Sequence, residues 1–179
     1  MNKVRYAELE FLRNEIEGKN IAIVGNAASI FDKPLGPEID NHDFVIRFNR
    51  GYITKPECQG TKTDLLILAC PVLECEARSF KPRYIVNRSK SYKNSFAIKT
   101  INSYDRNDLK MILGSQPSSG FMAINICLYF KAGHIDLYGF AGNSQPTFYR
   151  ENGFETQHNY DLEQAMIHLL EFDGLLKIN

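Results

Sequence analysis

The chain has no surplus of either charge: Lys+Arg and Asp+Glu both number 21 among 179 residues. A protein that follows a phosphate backbone by electrostatics carries a basic excess, so a nucleic-acid partner is not expected. No apolar run approaches the roughly 20 residues a helix needs to cross a bilayer, so no transmembrane segment is expected. The opening stretch, MNKVRYAELEFLRNEIEGKN, lacks the apolar core of a signal peptide. A cytoplasmic location is therefore expected, with peripheral contact at the inner membrane surface as the alternative. The four cysteines, Cys58, Cys70, Cys75 and Cys127, form no CxxC pair, so a zinc site is not expected. Without an export signal all four should be reduced. The glycine signatures GxGxxG and GK[ST] are also missing, which weakens an NAD or P-loop reading.

What is present suits one globular domain spanning residues 1–179, with 44% hydrophobic residues. The N-terminus reads as an amphipathic helix with Val4, Ala7, Phe11 and Leu12 on one side, continuing near Ile16. IAIVG (21–25) is a short continuous apolar run, the pattern of a buried strand. Residues 26–40 read as a loop. Further strands are expected at Phe44–Phe48, Asp64–Ala69, Tyr84–Asn87 and Ile135–Phe140, with an edge strand at LLKI. Helices are expected within 71–79, 106–113, 120–132 and 160–172. Gly133 suits the end of the third of these and Gly174 the end of the fourth. Strands alternating with helices predict an α/β fold: a layered, Rossmann-like, mostly parallel sheet with helices on both faces. Ligands of such sheets bind beyond the carboxyl ends of the strands. The residues to inspect are Gly25-Asn26, Asn49, Ala69-Cys70 and Gly139 to Asn143.

Gly25-Asn26-Ala27-Ala28-Ser29 follows a buried strand. Gly25 permits a tight turn, and Asn26 offers both a donor and an acceptor. On its own the block reads first as an Asn-capped turn, with a ligand corner as the alternative. Asn49, at a strand terminus, can read a base edge or hold a ribose hydroxyl. Arg47 lies between apolar neighbours and calls for a partner, with Asp40 or Asp43 the nearest carboxylates in sequence. Pro117-Ser118-Ser119-Gly120 precedes a helix. A serine there can cap the helix, and the same N–H groups can hold a phosphate or carboxylate.

Among four histidines, His158 stands at or just before the start of the last long helix. His42 falls in a polar loop, His134 after a helix end and His168 late in a helix. A helix N-terminus disfavours the imidazolium, and a neutral histidine suits a general base. Asp161 with Gln164 can form a capping pair there. Glu163 lies five residues beyond His158 and can bond back to the loop. A plain surface histidine is the alternative.

In this order the blocks resemble the sialylmotifs of the eukaryotic-type sialyltransferases, glycosyltransferase family 29. The large motif is similar to IAIVGNAASIFDKPLGPEIDNHDFVIRFN extended by QGTKTDLL (59–66), and the small motif to PSSGFMAINICLYFKAGHIDLYGF. TFYREN (147–152) resembles the third motif, and His158 to Glu163 the last, His-x4-Glu. A bacterial sialyltransferase family, number 42, has a similar AGN…TSG layout, but the VIRFN segment fits family 29 better.

The resemblance implies a variant GT-A-like nucleotide-sugar fold and a CMP-activated donor such as CMP-sialic acid. It also implies a glycan or glycolipid acceptor, inversion at the anomeric carbon and no required cofactor or metal. Carried onto this sequence, Gly25, Asn26 and Asn49 would meet the CMP moiety. Ser118, Ser119 and Gly120 would contact the nucleotide and the donor carboxylate. His158 would deprotonate the acceptor, and Glu163 would support the loop around it. Three departures stand out. The positions of the family's secretory-pathway disulfide are Ile21 and Ala132 here, so that bridge cannot form. The third motif begins without its histidine, leaving Tyr149 or Arg150 to contact the phosphate. Little sequence lies between the large and small motifs. A CMP-Kdo-type transferase and a catalytically weak CMP-sugar-binding module remain as alternatives.

Overall fold

A computed structural model describes residues 7–88, 94–100, 107–141, 147–149 and 158–179. Seven strands form one sheet: β1 (Asn20–Val24), β2 (Phe44–Phe48), β3 (Leu65–Leu68), β4 (Tyr84–Asn87), β5 (Lys99–Thr100), β6 (His134–Tyr138) and β7 (Lys177–Ile178). Their order is β5-β4-β3-β2-β1-β6-β7, and every neighbouring pair is parallel. Continuous apolar runs suit such strands because both faces are covered. β2 is buried along its whole length, Arg47 included.

The helices are α1 (Arg13–Ile16), α2 (Gly36–Asp40), α3 (Pro56–Gln59), α4 (Glu74–Ser79), α5 (Asn107–Leu113), α6 (Ser119–Tyr129) and α7 (Tyr160–Phe172). Alternation along each strand divides them between two layers. Ile21, Ile23, Phe44, Ile46 and Ile135 face a large core shared with Leu12 and Ile16, α5, α6 and α7. Ala22, Val24, Val45 and Tyr138 face Ile30 and Ile39 on the other side, and Leu66, Leu68 and Ile85 face Ala77 and Phe80 there. The expected layered sheet with helices on both faces is present. Among the described residues, no helix is long and apolar enough to cross a membrane.

Several local expectations need correction. The N-terminal segment is a 3-10 helix over Ala7–Leu12 before it becomes α1. Three residues per turn align Leu9 with Leu12, and both are fully buried, whereas Phe11 only borders the core. Val4 lies outside the described residues. Residues 26–40 are not a plain loop but hold a 3-10 turn at Ala28–Phe31 and α2, which has Pro37 in its first turn. At the end of α6 the left-handed residue is Lys131 (φ 55°). Gly133 serves a close approach instead, since a Cβ there would stand 2.7 Å from the Gly18 carbonyl oxygen.

His42 is not in an open polar loop. Its ring is buried, with Nδ1 2.9 Å from the Glu38 carbonyl and Nε2 3.0 Å from the Asp136 carboxylate. The Arg47 partners are also not carboxylates. Nε donates to the Lys62 carbonyl and Thr63 Oγ1, and Nη2 to the Gln59 carbonyl at 2.7 Å. Asp40 is occupied by the Thr61 and Lys62 amides, and Asp43 by the Asn20 amide. All four cysteines are free thiols, and Cys127 is a fully buried part of the α6 core.

Candidate active site

Parallel strands bring all their carboxyl ends to one edge, so the corners after β1, β2, β3, β4 and β6 share it. The strand order reverses at β1, between β2 and β6, which places Gly25-Asn26 at the topological switch point. The backbones after β1 and β6 nearly touch there. A Cβ on Gly25 would lie 2.4 Å from the Gly139 carbonyl oxygen, so the close approach requires glycine.

Asn26 Nδ2 donates to the Phe48 carbonyl at 3.2 Å and meets the Tyr149 hydroxyl at 3.5 Å. Its Oδ1 lies against Gly51, where a Cβ would approach to 2.0 Å. Phe148 N–H donates to the Asn26 carbonyl, and Ala27 bridges Thr147. The TFY segment is therefore packed onto the Asn26 corner; Arg150, Glu151 and Asn152 of the same motif lie outside the described residues. Asn49 has positive φ (53°), which an asparagine accepts more readily than most residues. Its Oδ1 accepts from the Ala69 amide at 2.7 Å and closes the turn after β3.

The small-motif turn is organised from three directions. Ser118 is the N-cap of α6, with Oγ accepting from Phe121 N–H at 3.1 Å. From α7, Glu163 accepts the Ser118 N–H at 2.6 Å. From the end of β4, Arg88 donates through Nη1 to Ser119 Oγ at 3.1 Å and through Nη2 to the Pro117 carbonyl. Among the described residues, the Ser119 and Gly120 amides at the mouth of α6 donate to no partner.

His158 lies one residue before the N-cap of α7, and that cap is Asn159 rather than an Asp161–Gln164 pair. Its Nδ1 is 2.7 Å from the Gln116 carbonyl. A carbonyl only accepts, so Nδ1 carries the proton and the neutral ring holds its lone pair at Nε2. Burial is the main cause that holds the imidazole below its ordinary pKa; the charge of Arg88 acts in the same direction, while the Gln116 bond opposes it. Burial pushes the Glu163 carboxyl up, against the opposing effect of its Ser118 bonds.

The expected residues therefore form two groups: Gly25, Asn26 and Tyr149 with Asn49 beside them, and Ser118, Ser119 and Gly120 with His158 and Glu163. Phe140 joins them. Its ring would meet a Cβ on Gly25 at 3.1 Å and one on Gly120 at 2.7 Å. Neither Phe140 nor Arg88 stands out in the sequence. Phe140 reads as the end of a buried strand, and Arg88 as an ordinary charge after one. Among the described residues, no cluster of three or more His, Cys, Asp or Glu is placed to hold a metal.

Residues 8–80 match the model of Glycosyltransferase family 29 (sialyltransferase). CMP-N-acetylneuraminate-beta-galactosamide-alpha-2,3-sialyltransferase 1 of Pan troglodytes is 23% identical, across 71% of this chain and 46% of its own length. The chain thus spans about half the length of that curated relative. The crystal structure of a mammalian sialyltransferase superposes with a TM-score of 0.64 at 20% identity, covering 90% of this chain and 68% of that one. CstII from Campylobacter jejuni, in complex with the substrate analogue cytidine-5'-monophosphate, gives a TM-score of 0.62 at 14% identity, covering 90% of this chain and 80% of that one. Residues 8–80 are thus similar to glycosyltransferase family 29, and the sheet around them has the architecture of the solved sialyltransferases.

Proposed function

We propose that residues 1–179 form one catalytic domain that transfers sialic acid, or a related 2-keto sugar acid, from a CMP-activated donor to a glycan hydroxyl. The observation that carries this reading is His158: an imidazole with its basic nitrogen at Nε2, fixed by the Gln116 carbonyl one residue before the PSSG turn. The match of residues 8–80 to the family 29 model supports the CMP-sugar class, and the site geometry supports the roles.

The transfer is a single in-line displacement with inversion. His158 Nε2 takes the acceptor proton while the acceptor oxygen bonds to the anomeric carbon. The bond from that carbon to the phosphate oxygen breaks, and its electron pair leaves with CMP. The Ser119 and Gly120 amides and the Tyr149 hydroxyl are the donors aimed at anionic groups of the donor substrate. Asn49 has amide hydrogens left for the nucleotide, because only its oxygen is used in closing the turn. Asn26, whose amide nitrogen is engaged, offers Oδ1 as an acceptor for a hydroxyl or amino group. None of these steps calls on a metal.

A thermal-shift panel of CMP, CMP-sialic acid, CMP-Kdo, UDP-sugars and NAD, followed by transfer assays, tests the reading. A CMP-selective shift with sugar transfer is expected. Turnover of CMP-Kdo alone would move the sugar assignment, and CMP binding without turnover would favour a binding module. A shift with UDP-sugars or NAD in place of CMP would overturn the proposal.

A further inference from the structure

Asn87, the last residue of β4, and Arg88, the next, brace two corners at the carboxyl edge of the sheet. Successive side chains of a strand point to opposite faces. Asn87 turns one way and exchanges hydrogen bonds with Asn94: Asn87 Nδ2 donates to the Asn94 carbonyl at 3.1 Å, and Asn94 Nδ2 to Asn87 Oδ1 at 2.9 Å. Asn94 in turn holds the Cys70 carbonyl and the Val72 amide, so this brace fixes the corner after β3. Arg88 turns the other way, to the PSSG turn.

Three observations set Arg88 apart from an ordinary surface cation. It is 94% buried, with only 6% of its surface exposed. Its backbone is anchored, since Arg88 N–H donates to the Leu68 carbonyl at 2.7 Å and extends the β3–β4 ladder by one residue. Its guanidinium forks onto Pro117 and Ser119, on either side of the helix cap Ser118. Glu163 grips the same turn from α7 through the Ser118 N–H. One charged group takes the outward carbonyl and hydroxyl oxygens of the turn, and the other takes an N–H.

We propose that Arg88 is a positioning residue for the donor site: its planar fork sets the orientation of the Ser119 and Gly120 amides at the mouth of α6. The fork geometry is what an ammonium cannot supply, because lysine is a single point donor on a flexible stem. Among the described residues, the charge of Arg88 bears on His158, and Tyr160 of α7 packs edge-on against it with ring centroids 5.6 Å apart. That positive charge disfavours the imidazolium, so removal of Arg88 is expected to raise the affinity of His158 for a proton.

The activity part of this proposal rests on the donor-transfer reading, whereas the structural part does not. R88K keeps the charge and loses the fork; R88Q loses both. In each variant we expect amide hydrogen exchange at 118–121 to quicken by about tenfold or more relative to the wild type, without substrate present. The KM for CMP-sialic acid should rise by a similar factor. NMR titration of the His158 ring should move toward its ordinary value in R88Q and stay near the wild-type position in R88K. If R88Q does not fold, exchange and KM are read on R88K. Wild-type exchange at 118–121 in either folded variant would overturn the proposal. Absence of transfer by the wild-type protein would instead remove the transferase reading and leave the exchange and titration results to decide the role of Arg88.

Discussion

Glu163 and Ser118 are 45 positions apart in sequence and joined by a 2.6 Å hydrogen bond from the Ser118 amide to the Glu163 carboxylate. This contact docks the first turn of α7 onto the turn that opens α6. His158, just ahead of α7, is thereby held over the same turn through the Gln116 carbonyl. The proposed base and the Ser119 and Gly120 amides are parts of one clamped unit, and each can be tested separately.

Replacing His158 with alanine removes the base and leaves the amides in place. We expect kcat for sugar transfer to fall by about 100- to 10,000-fold, the usual range for general-base assistance. CMP affinity should change by no more than about threefold, because the loss is one of transition-state assistance rather than of nucleotide contacts. In the wild type, a depressed His158 pKa keeps the imidazole neutral to lower pH, so the acid limb of kcat/KM should lie below the ordinary histidine value of 6.5. Near-normal transfer by H158A would remove His158 from the mechanism.

Glu163 gives a stability test with a defined sign. Its folded-state pKa is raised by burial, so the folded protein binds the proton more tightly than the unfolded chain does. The stability contribution of Glu163 is therefore greatest at low pH and declines as pH rises from the unfolded carboxyl value of 4.5 through the raised folded value. E163Q retains an acceptor oxygen for the Ser118 N–H and carries no charge to bury. It should flatten that slope and be at least as stable as the wild type at neutral pH. E163A leaves a buried N–H without its acceptor and should cost about 1–3 kcal/mol in urea unfolding. An E163Q protein less stable than E163A would refute this account.

Local chemistry made much of this fold legible in the sequence. β1, β2 and β4 follow from short apolar runs bounded by turn residues, and α7 runs over the expected residues 160–172, with Gly174 in the left-handed conformation just beyond it. Ser118 reads as a cap and is one. Residues whose roles depend on distant partners were not legible. Arg88 reaches a turn 29 and 31 positions away, and no periodicity encodes that pairing. Phe140 looks like the end of a strand, yet it fills the space between two glycines from different motifs. α2 and α3 span 5 and 4 residues, too few for a helical repeat to register. Arg47 invited a carboxylate partner by proximity in sequence, but its donors found carbonyls on the chain segment wrapped beside β2.

Two glycine substitutions separate the site from the fold. At Gly51 an added Cβ would press on Asn26 Oδ1, the end of a side chain that can rotate away. G51A should fold with little change in Tm but weaken CMP binding by about tenfold, a loss of roughly 1.4 kcal/mol. At Gly25 the added Cβ would meet the Gly139 backbone, which cannot yield without parting β1 from β6. G25A should therefore lose about 1–3 kcal/mol of stability, the usual cost of overpacking. Equal effects of the two variants on CMP binding and on Tm would contradict the assignment of Asn26 to the site.

Arg47 provides the converse test, a buried cation whose role is structural. It is 3% exposed, and its donors satisfy the Gln59 and Lys62 carbonyls and the Thr63 hydroxyl. Burial lowers its pKa to about 10, still well above neutrality, so it remains charged through the physiological range. The unfolded chain binds this proton up to about 12.5, so stability rises with pH only between those two values and Arg47 adds no slope between pH 5 and 9. R47M retains bulk but leaves the carbonyls without a donor, at about 1–3 kcal/mol for each. R47K keeps the charge and one point donor in place of the fork, and should fall between wild type and R47M. Measured per folded molecule, CMP affinity and kcat should be unchanged in both, since each Arg47 bond runs to the 59–63 segment and none to the residues of the proposed site. A selective loss of CMP binding at unchanged stability would move Arg47 from the scaffold into the site.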